Sequence, residues 1–309
     1  MNILNKRVII VTGKGGVGKS TITTLLAIAA LKKGKKVLVC EINAKEKVAP
    51  YLGYPESGSK VTELEKGLST VNINFQDAMK EYALKMLKSS MLYKTVFENK
   101  PVKRFLSGIP GLPEILIWGK IRFHETEKDK KGKNKYDLII IDAPATGHGI
   151  SFLKLPDSIL GMISKGSLAK EIKAIRELLI DKNKTSINIV TIPEELPVNE
   201  AKELVGIIKD NLEMPLGYLF INQVVEKLFT DNQYKIFRAI TKKDNKELQL
   251  MSSAANHRIS REKLNEKYLK IANNHIQLPS ISFPYLFKEK MSRKDFEYLA
   301  DIFFKGSKF

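Results

Sequence analysis

The 309-residue chain contains one cysteine, Cys40, one tryptophan, Trp118, and four histidines. A single thiol excludes an intramolecular disulfide framework, a Cys-x-x-Cys zinc clip and any metal cluster held by this chain's own thiolates. Long apolar runs are also missing. Stretches such as Leu138 to Ile141 stay under ten residues, too short to cross a bilayer as a helix. Met1 to Arg7 lead directly into an apolar segment and a glycine loop, so no secretory signal peptide is expected and the reading is cytoplasmic, with a peripheral place at the membrane left open. Arginine is scarce, with 8 residues against 44 lysines. A net charge of +18 would suit nucleic acid or an anionic membrane. Yet arginine is the residue suited to bidentate phosphate recognition, and these lysines are scattered as solubilising charge. No specific nucleic-acid site is expected. With 43% hydrophobic and 28% charged residues, the chain is also neither collagen-like nor disordered.

What is present is an alternation of strands and helices. Val8 to Thr12 is a β-branched run of the kind buried on both faces of a sheet. A glycine loop follows, then Thr21 to Lys33, with Ile22, Leu25, Leu26, Ala29 and Ala30 at helical spacing, closed by Gly34. Val37 to Glu41 completes a β-α-β unit. Further strands are predicted at Val71 to Ile73, Leu138 to Asp142, Ile187 to Thr191 and Tyr218 to Asn222. The fold class is therefore α/β, a mostly parallel sheet with helices on both faces. A helical subregion from about 75 to 123 is inserted, followed by a charged loop at 125–135 that reads as an exposed hairpin.

Gly13-Lys14-Gly15-Gly16-Val17-Gly18-Lys19-Ser20 fits the phosphate-loop pattern Gly-x-x-x-x-Gly-Lys-Ser/Thr. Glycines let successive backbone N–H groups converge on phosphates, and the following helix directs its N-terminus at the same oxygens. Gly13 through Thr21 are thus candidate ATP-binding residues. Lys19 is expected to reach the β- and γ-phosphates and Ser20 to ligate Mg²⁺. Asp142 ends a hydrophobic strand and is the candidate second Mg²⁺ residue. Ala143 to Gly149 then reads as a glycine-rich loop placed to sense the γ-phosphate, with His148 assigned to that switch. The other histidines, His124, His257 and His275, show no metal-ligand spacing.

Asp-Ala-Pro-Ala-Thr-Gly-His-Gly at 142–149, with the two-lysine loop, resembles the arsenite-pump and tail-anchored-protein-targeting ATPases. Pro110-Gly111-Leu112-Pro113-Glu114, Ile192 to Glu200 and Phe220-Ile221-Asn222-Gln223 resemble further stretches of that family. The resemblance implies a single phosphate-loop ATPase domain over 1–309, dimeric across its nucleotide faces, using ATP and Mg²⁺. It implies that Lys14 crosses the dimer interface to the other subunit's nucleotide, acting like an arginine finger. Glu194 and Asn222 are carried over as nucleotide-contacting positions, with Glu195 as the fallback register. Pro279 to Leu286 is expected near the adenine.

The chain also departs from the family. Where the first switch places an aspartate that orients the attacking water, alignment sets Asn43, an amide unable to accept a proton at neutral pH. Either hydrolysis is slow, or Glu41 compensates, or another subunit supplies the carboxylate. A register two residues off would make Glu41 the working acid. Cys40 alone cannot supply the thiolates of a metalloid site, nor a dimer-clamping zinc pair, nor a nitrogenase-type cluster. Met79, Met86, Leu87, Met91, Leu92 and Phe97 could line a client groove, but helical apolar stripes usually pack inward, so core is the preferred reading. Gly161 to Lys184 is short for the targeting branch's hydrophobic insertion. The last amphipathic stretch, with Phe296, Leu299, Ala300, Phe303 and Phe304, is expected to pack on the domain rather than on a membrane, and Trp118 is expected in the core.

The expected output is an ATP-binding and ATP-hydrolysing switch, homodimeric or paired with a paralogue, acting on an unidentified client protein or membrane partner. Two alternatives stand beside it: a weakly or non-hydrolysing regulatory subunit, and a chromosome-partitioning or division-site-like ATPase acting on DNA or membrane surfaces.

Overall fold

A computed structural model describes residues 3–87, 102, 109–163, 165–228, 230–240 and 246–307. Its centre is an eight-stranded sheet: β1 Val8–Gly13, β2 Val37–Ile42, β3 Thr62–Glu65, β4 Leu68–Ile73, β5 Leu138–Ala145, β6 Thr185–Thr191, β7 Leu216–Val224 and β8 Ser280–Pro284. The spatial order is β3-β4-β2-β5-β1-β6-β7-β8. Every neighbouring pair is parallel except β3 with β4. The β-branched run at Val8 forms a central strand because both of its faces are covered. Val8 and Ile10 point into one core layer, while Ile9 and Val11 point into the other.

Helices cover both faces. On one lie α1 Lys19–Lys32, α2 Val48–Tyr51 and α10 Arg293–Gly306. The other is packed by α4 Leu112–Thr126, α5 Thr146–Leu160, α6 Ser167–Ile180, α7 Glu195–Gly206 and α9 Lys246–His275. Helices α3 Phe75–Leu87 and α8 Asp231–Ile240 are also present among the described residues. The α/β class with a mostly parallel, two-face-covered sheet is therefore observed, and α3 and α4 frame the helical subregion between β4 and β5.

Several local details differ from expectation for physical reasons. The first helix was expected to be amphipathic, yet Ile22 through Ala30 are all buried. The outer side of α1 is covered by α10, which inserts Phe296, Leu299, Ala300 and Phe303. Burial of each large side chain contributes about 1.5–3 kcal/mol, enough to hold a terminal helix on the domain. Strands β3 and β8 lie at the sheet edges and carry weak signals. β8 is five residues ending in proline, with only Ile281 and Phe283 fully inward. Ala143 to Gly149 is no loop: β5 continues to Ala145 and α5 begins at Thr146. A Cβ at Gly149 would lie 3.0 Å from the Pro144 carbonyl and 3.1 Å from the Thr12 hydroxyl, so glycine permits this close helix–strand contact. The side chains of Thr146 and His148 lie outside the described residues.

Trp118 is buried, stacks on Phe152 at 4.4 Å and donates its indole N–H to the Phe152 carbonyl at 2.9 Å. Within the helical subregion, Met79 is buried with Ala78 and Leu116, whereas Tyr82 is exposed. The side chains of Met86 and Leu87, and all of Met91, Leu92 and Phe97, lie outside the described residues. The charged segment turns back at Asp129, whose carboxylate accepts the Lys131 and Lys133 N–H groups, and Lys128 bridges to Asn134. No described helix is long and apolar enough to cross a membrane.

Candidate phosphate-loop site

The site sits where β1, β2 and β5 end, as expected of a parallel sheet whose strands deliver their C-terminal loops to one edge. Gly13 to Gly18 wraps from β1 into α1. The N-cap of α1 is Gly18, with φ 92° and no side-chain cap, so the helix's first N–H groups face the loop's concavity. Gly18 has no substitute, since a Cβ there would stand 2.1 Å from Asn222 Nδ2. Asn222, at the end of β7, is 5% exposed and donates from Nδ2 to the Val17 carbonyl at 3.0 Å. It therefore braces the phosphate loop from below.

Lys19 reaches back over the loop, donating to the carbonyls of Gly13 at 3.2 Å and Lys14 at 3.1 Å. Burial holds its pKa below the ordinary lysine value, opposed by Asp142 and reinforced by Lys47. Ser20 donates its hydroxyl to Asp142 Oδ2 at 2.6 Å. Asp142 is 6% exposed, and its Oδ1 meets no donor in good hydrogen-bonding geometry among the described residues, although the Thr23 hydroxyl lies near enough to act weakly on the carboxylate. Burial raises its pKa, opposed by the Ser20 hydroxyl and then by the Lys19 and Lys47 charges. A buried carboxylate oxygen without a well-formed hydrogen bond is costly, and a cation is the partner such an atom suits. The hard oxygen pair of Ser20 and Asp142 fits Mg²⁺, which usually takes one or two protein ligands beside phosphate and water. Among the described residues no group of three or more His, Cys, Asp or Glu could hold a metal on its own.

Glu41 stands opposite Asp142 in the β2–β5 register and is buried. Its Oε1 accepts the N–H of Lys47 at 2.7 Å and of Val48 at 3.4 Å, pinning the loop after β2. Its pKa is pushed up to about 7, chiefly by burial and also by the Asp142 charge. Asn43 adopts φ 46°, a left-handed conformation that asparagine tolerates better than most residues. Its Oδ1 accepts the Phe75 N–H at 3.3 Å, at the start of α3.

Lys14 does not point out of the chain. Its ammonium pairs with Glu200 of α7 at 2.8 Å. Glu194 is exposed at the N-cap of α7, and Glu195, also exposed, lies near the Tyr268 hydroxyl and raises its pKa. The segment expected near the base continues from β8 into Tyr285 and Phe287, whose rings meet edge-on at 4.4 Å beneath the guanidinium groups of Arg261 and Arg258. Neither those arginines nor Lys47 and Glu200 stood out in the sequence. For Lys47 the one available signal was its place four residues beyond Asn43.

The sequence profile of the anion-transporting ATPases matches residues 6–166 and 162–267, most of the chain. The chain belongs to the anion-transporting ATPase family. It is similar to ATPase BagA of Mycobacterium tuberculosis, 32% identical over 230 residues, which are 70% of this chain and 65% of that protein. The match thus spans a little less than two thirds of the mycobacterial relative's length. A putative arsenical pump-driving ATPase 2 of Aquifex aeolicus is 25% identical over 273 residues, 79% of this chain and 88% of its own. The ATPase ASNA1 homolog 2 of Paramecium tetraurelia is 25% identical over 280 residues, covering 79% and 82%. Anion-transporting ATPases are thus the frame in which the two-lysine loop and Asp142 of β5 are to be read.

Proposed function

We propose that this chain binds ATP with Mg²⁺ at the phosphate loop and hydrolyses it as a dimeric conformational switch acting on a client or partner. The observation that carries the reading is the buried Ser20–Asp142 pair beside Lys19, with one Asp142 oxygen left without a well-formed hydrogen bond. Backbone N–H groups of Gly13 to Thr21 would hold the phosphates, Lys19 would exchange its two carbonyl contacts for phosphate oxygens, and Ser20 and Asp142 would hold the metal. Mg²⁺ supplies charge neutralisation on the phosphates. Glu194 and Asn222 are the proposed contacts near the nucleoside. Lys14 is the proposed trans contact, reached by leaving Glu200 when a second copy or a paralogue closes over the site. Closure would act on the loop held by Glu41 and on the β5–α5 junction, so that the terminal phosphate biases two arrangements of the dimer. The metalloid role of the arsenical pump names is not proposed, because Cys40 is the sole thiol and is fully buried.

A second reading, a weakly hydrolysing subunit paired with an active paralogue, is favoured by Asn43, whose amide caps α3 instead of offering a proton acceptor. Calorimetry of ATP binding in Mg²⁺, with turnover and sedimentation in parallel, tests both. The proposed function requires ATP uptake that Lys19→Ala abolishes. Uptake that survives Lys19→Ala would refute it, and substantial turnover of the unmodified protein alone would reject the regulatory reading.

A further inference from the structure

Three lysines converge on the mouth of the loop. Two of their ammonium groups are accounted for, Lys14 by Glu200 and Lys19 by the Gly13 and Lys14 carbonyls. The third belongs to Lys47, the N-cap residue of α2. Its backbone is anchored at both ends: the N–H donates to Glu41 Oε1 at 2.7 Å and the carbonyl accepts the Tyr51 N–H at 2.8 Å. Since Glu41 faces Asp142 across the β2–β5 ladder, this anchor sets Lys47 beside the metal-side carboxylate. Its charge acts on both Lys19 and Asp142. Among the described residues no carboxylate forms an ion pair with it, and its side chain is exposed. A lysine anchored beside a phosphate site, with no ion-paired carboxylate among the described residues, calls for a polyanionic ligand.

We propose that Lys47 is a further catalytic residue, a cation delivered by its own chain to the terminal phosphate of the bound nucleotide. This rests on the reading that the loop binds ATP. During hydrolysis the water oxygen bonds to the γ-phosphorus, the bond to the β–γ bridging oxygen breaks with its electron pair leaving on ADP, and the two water protons pass to the new inorganic phosphate, which releases one to solvent near neutral pH. Lys47 transfers no proton in this step. It offsets negative charge on the γ-phosphoryl oxygens as the bonds exchange. ADP lacks that group, so Lys47 separates ATP from ADP and carries the difference into the loop that also holds Asn43.

The test uses the full chain with Mg²⁺ and titrates ADP and the β,γ-imido analogue of ATP into the unmodified protein, Lys47→Met and Lys47→Arg. Lys47→Met is expected to keep ADP affinity within about twofold while weakening the analogue about tenfold, the loss of one charge-assisted contact. Its kcat is expected to fall about 100-fold, and Lys47→Arg to restore most of the analogue affinity. An unchanged ratio of analogue to ADP affinity in Lys47→Met overturns the assignment while leaving ATP binding standing. Failure of the unmodified protein to bind either nucleotide overturns both.

Discussion

Glu41 offers a quantitative test of the site's electrostatics without any ligand. Its carboxyl is buried beside Asp142, and its pKa rises from 4.5 to about 7, with burial as the main cause. In the folded protein it binds its proton more tightly than in the unfolded chain. The stability it contributes is therefore fully present below pH 4.5 and is lost as pH rises through about 7. The full span corresponds to roughly 3 kcal/mol. Glu41→Gln keeps an oxygen to accept the Lys47 N–H but does not titrate. Any constant cost of placing the amide there cancels when the two proteins are compared across pH. Burial lowers the His124 pKa, which gives an opposite slope, and Asp295 at about 2 acts only in acid. Both groups are common to the two proteins and cancel too, whereas Asp142 is coupled to Glu41 and its titration is part of the difference being measured. The measurement is the thermal unfolding midpoint without nucleotide between pH 4 and 8. The unmodified protein is expected to lose about 5 °C relative to Glu41→Gln over that range, using about 2.1 cal/mol/K per residue for the unfolding entropy. A difference between the two proteins that stays flat over this range would refute the argument.

Asn43→Asp keeps a residue that tolerates φ 46° and places a charge at the start of α3, so the midpoint should hold or rise by less than about 1 kcal/mol equivalent. If Asn43 holds the water-positioning place that the family resemblance implies, turnover should rise by about tenfold or more, since the carboxylate can accept a proton once it leaves the Phe75 N–H; an unchanged rate would show that Asn43 is not that residue. Gly18→Ala forces a side chain into a φ of 92° and against Asn222 Nδ2, costing about 1–2 kcal/mol from the backbone alone. Its ATP affinity should fall more than tenfold by calorimetry, and Asn222→Ala added to it should recover part of the stability if the clash is the cause. Glu200→Gln weakens the half-exposed hold on Lys14, which is worth at most about 1 kcal/mol. Sedimentation should show the ATP-dependent dimer forming at up to about fivefold lower protein concentration, and a requirement for higher concentration would contradict a trans role for Lys14.

Much of this molecule is written in short-range pattern. A β-branched run, glycines and a lysine–serine pair at set intervals mark the loop because each element needs only its neighbours in sequence. The same holds for the six predicted strands, all found as strands in the sheet. Edge strands escaped because half their surface is solvated: β3 has no fully buried residue, and β8 has two. The glycine-rich stretch after Asp142 was misread because glycine marks a loop and a tight helix–strand contact equally well.

The sequence alone determined the glycine loop between β1 and α1, the strand that carries Asp142 and the α/β class, all of which depend on residue type and local spacing. Tertiary structure decided which side chains meet. Ser20 and Asp142 are 122 residues apart, Lys14 and Glu200 are 186 apart, and Asn222 reaches Val17 across 205. It also decided that Glu41 is buried and anchors the Lys47 loop, that Asn43 caps a helix, and that α1 is covered on its outer side by α10. Such pairings depend on strand order and register, which bring distant segments to one sheet edge, and on the burial that removes water from between them.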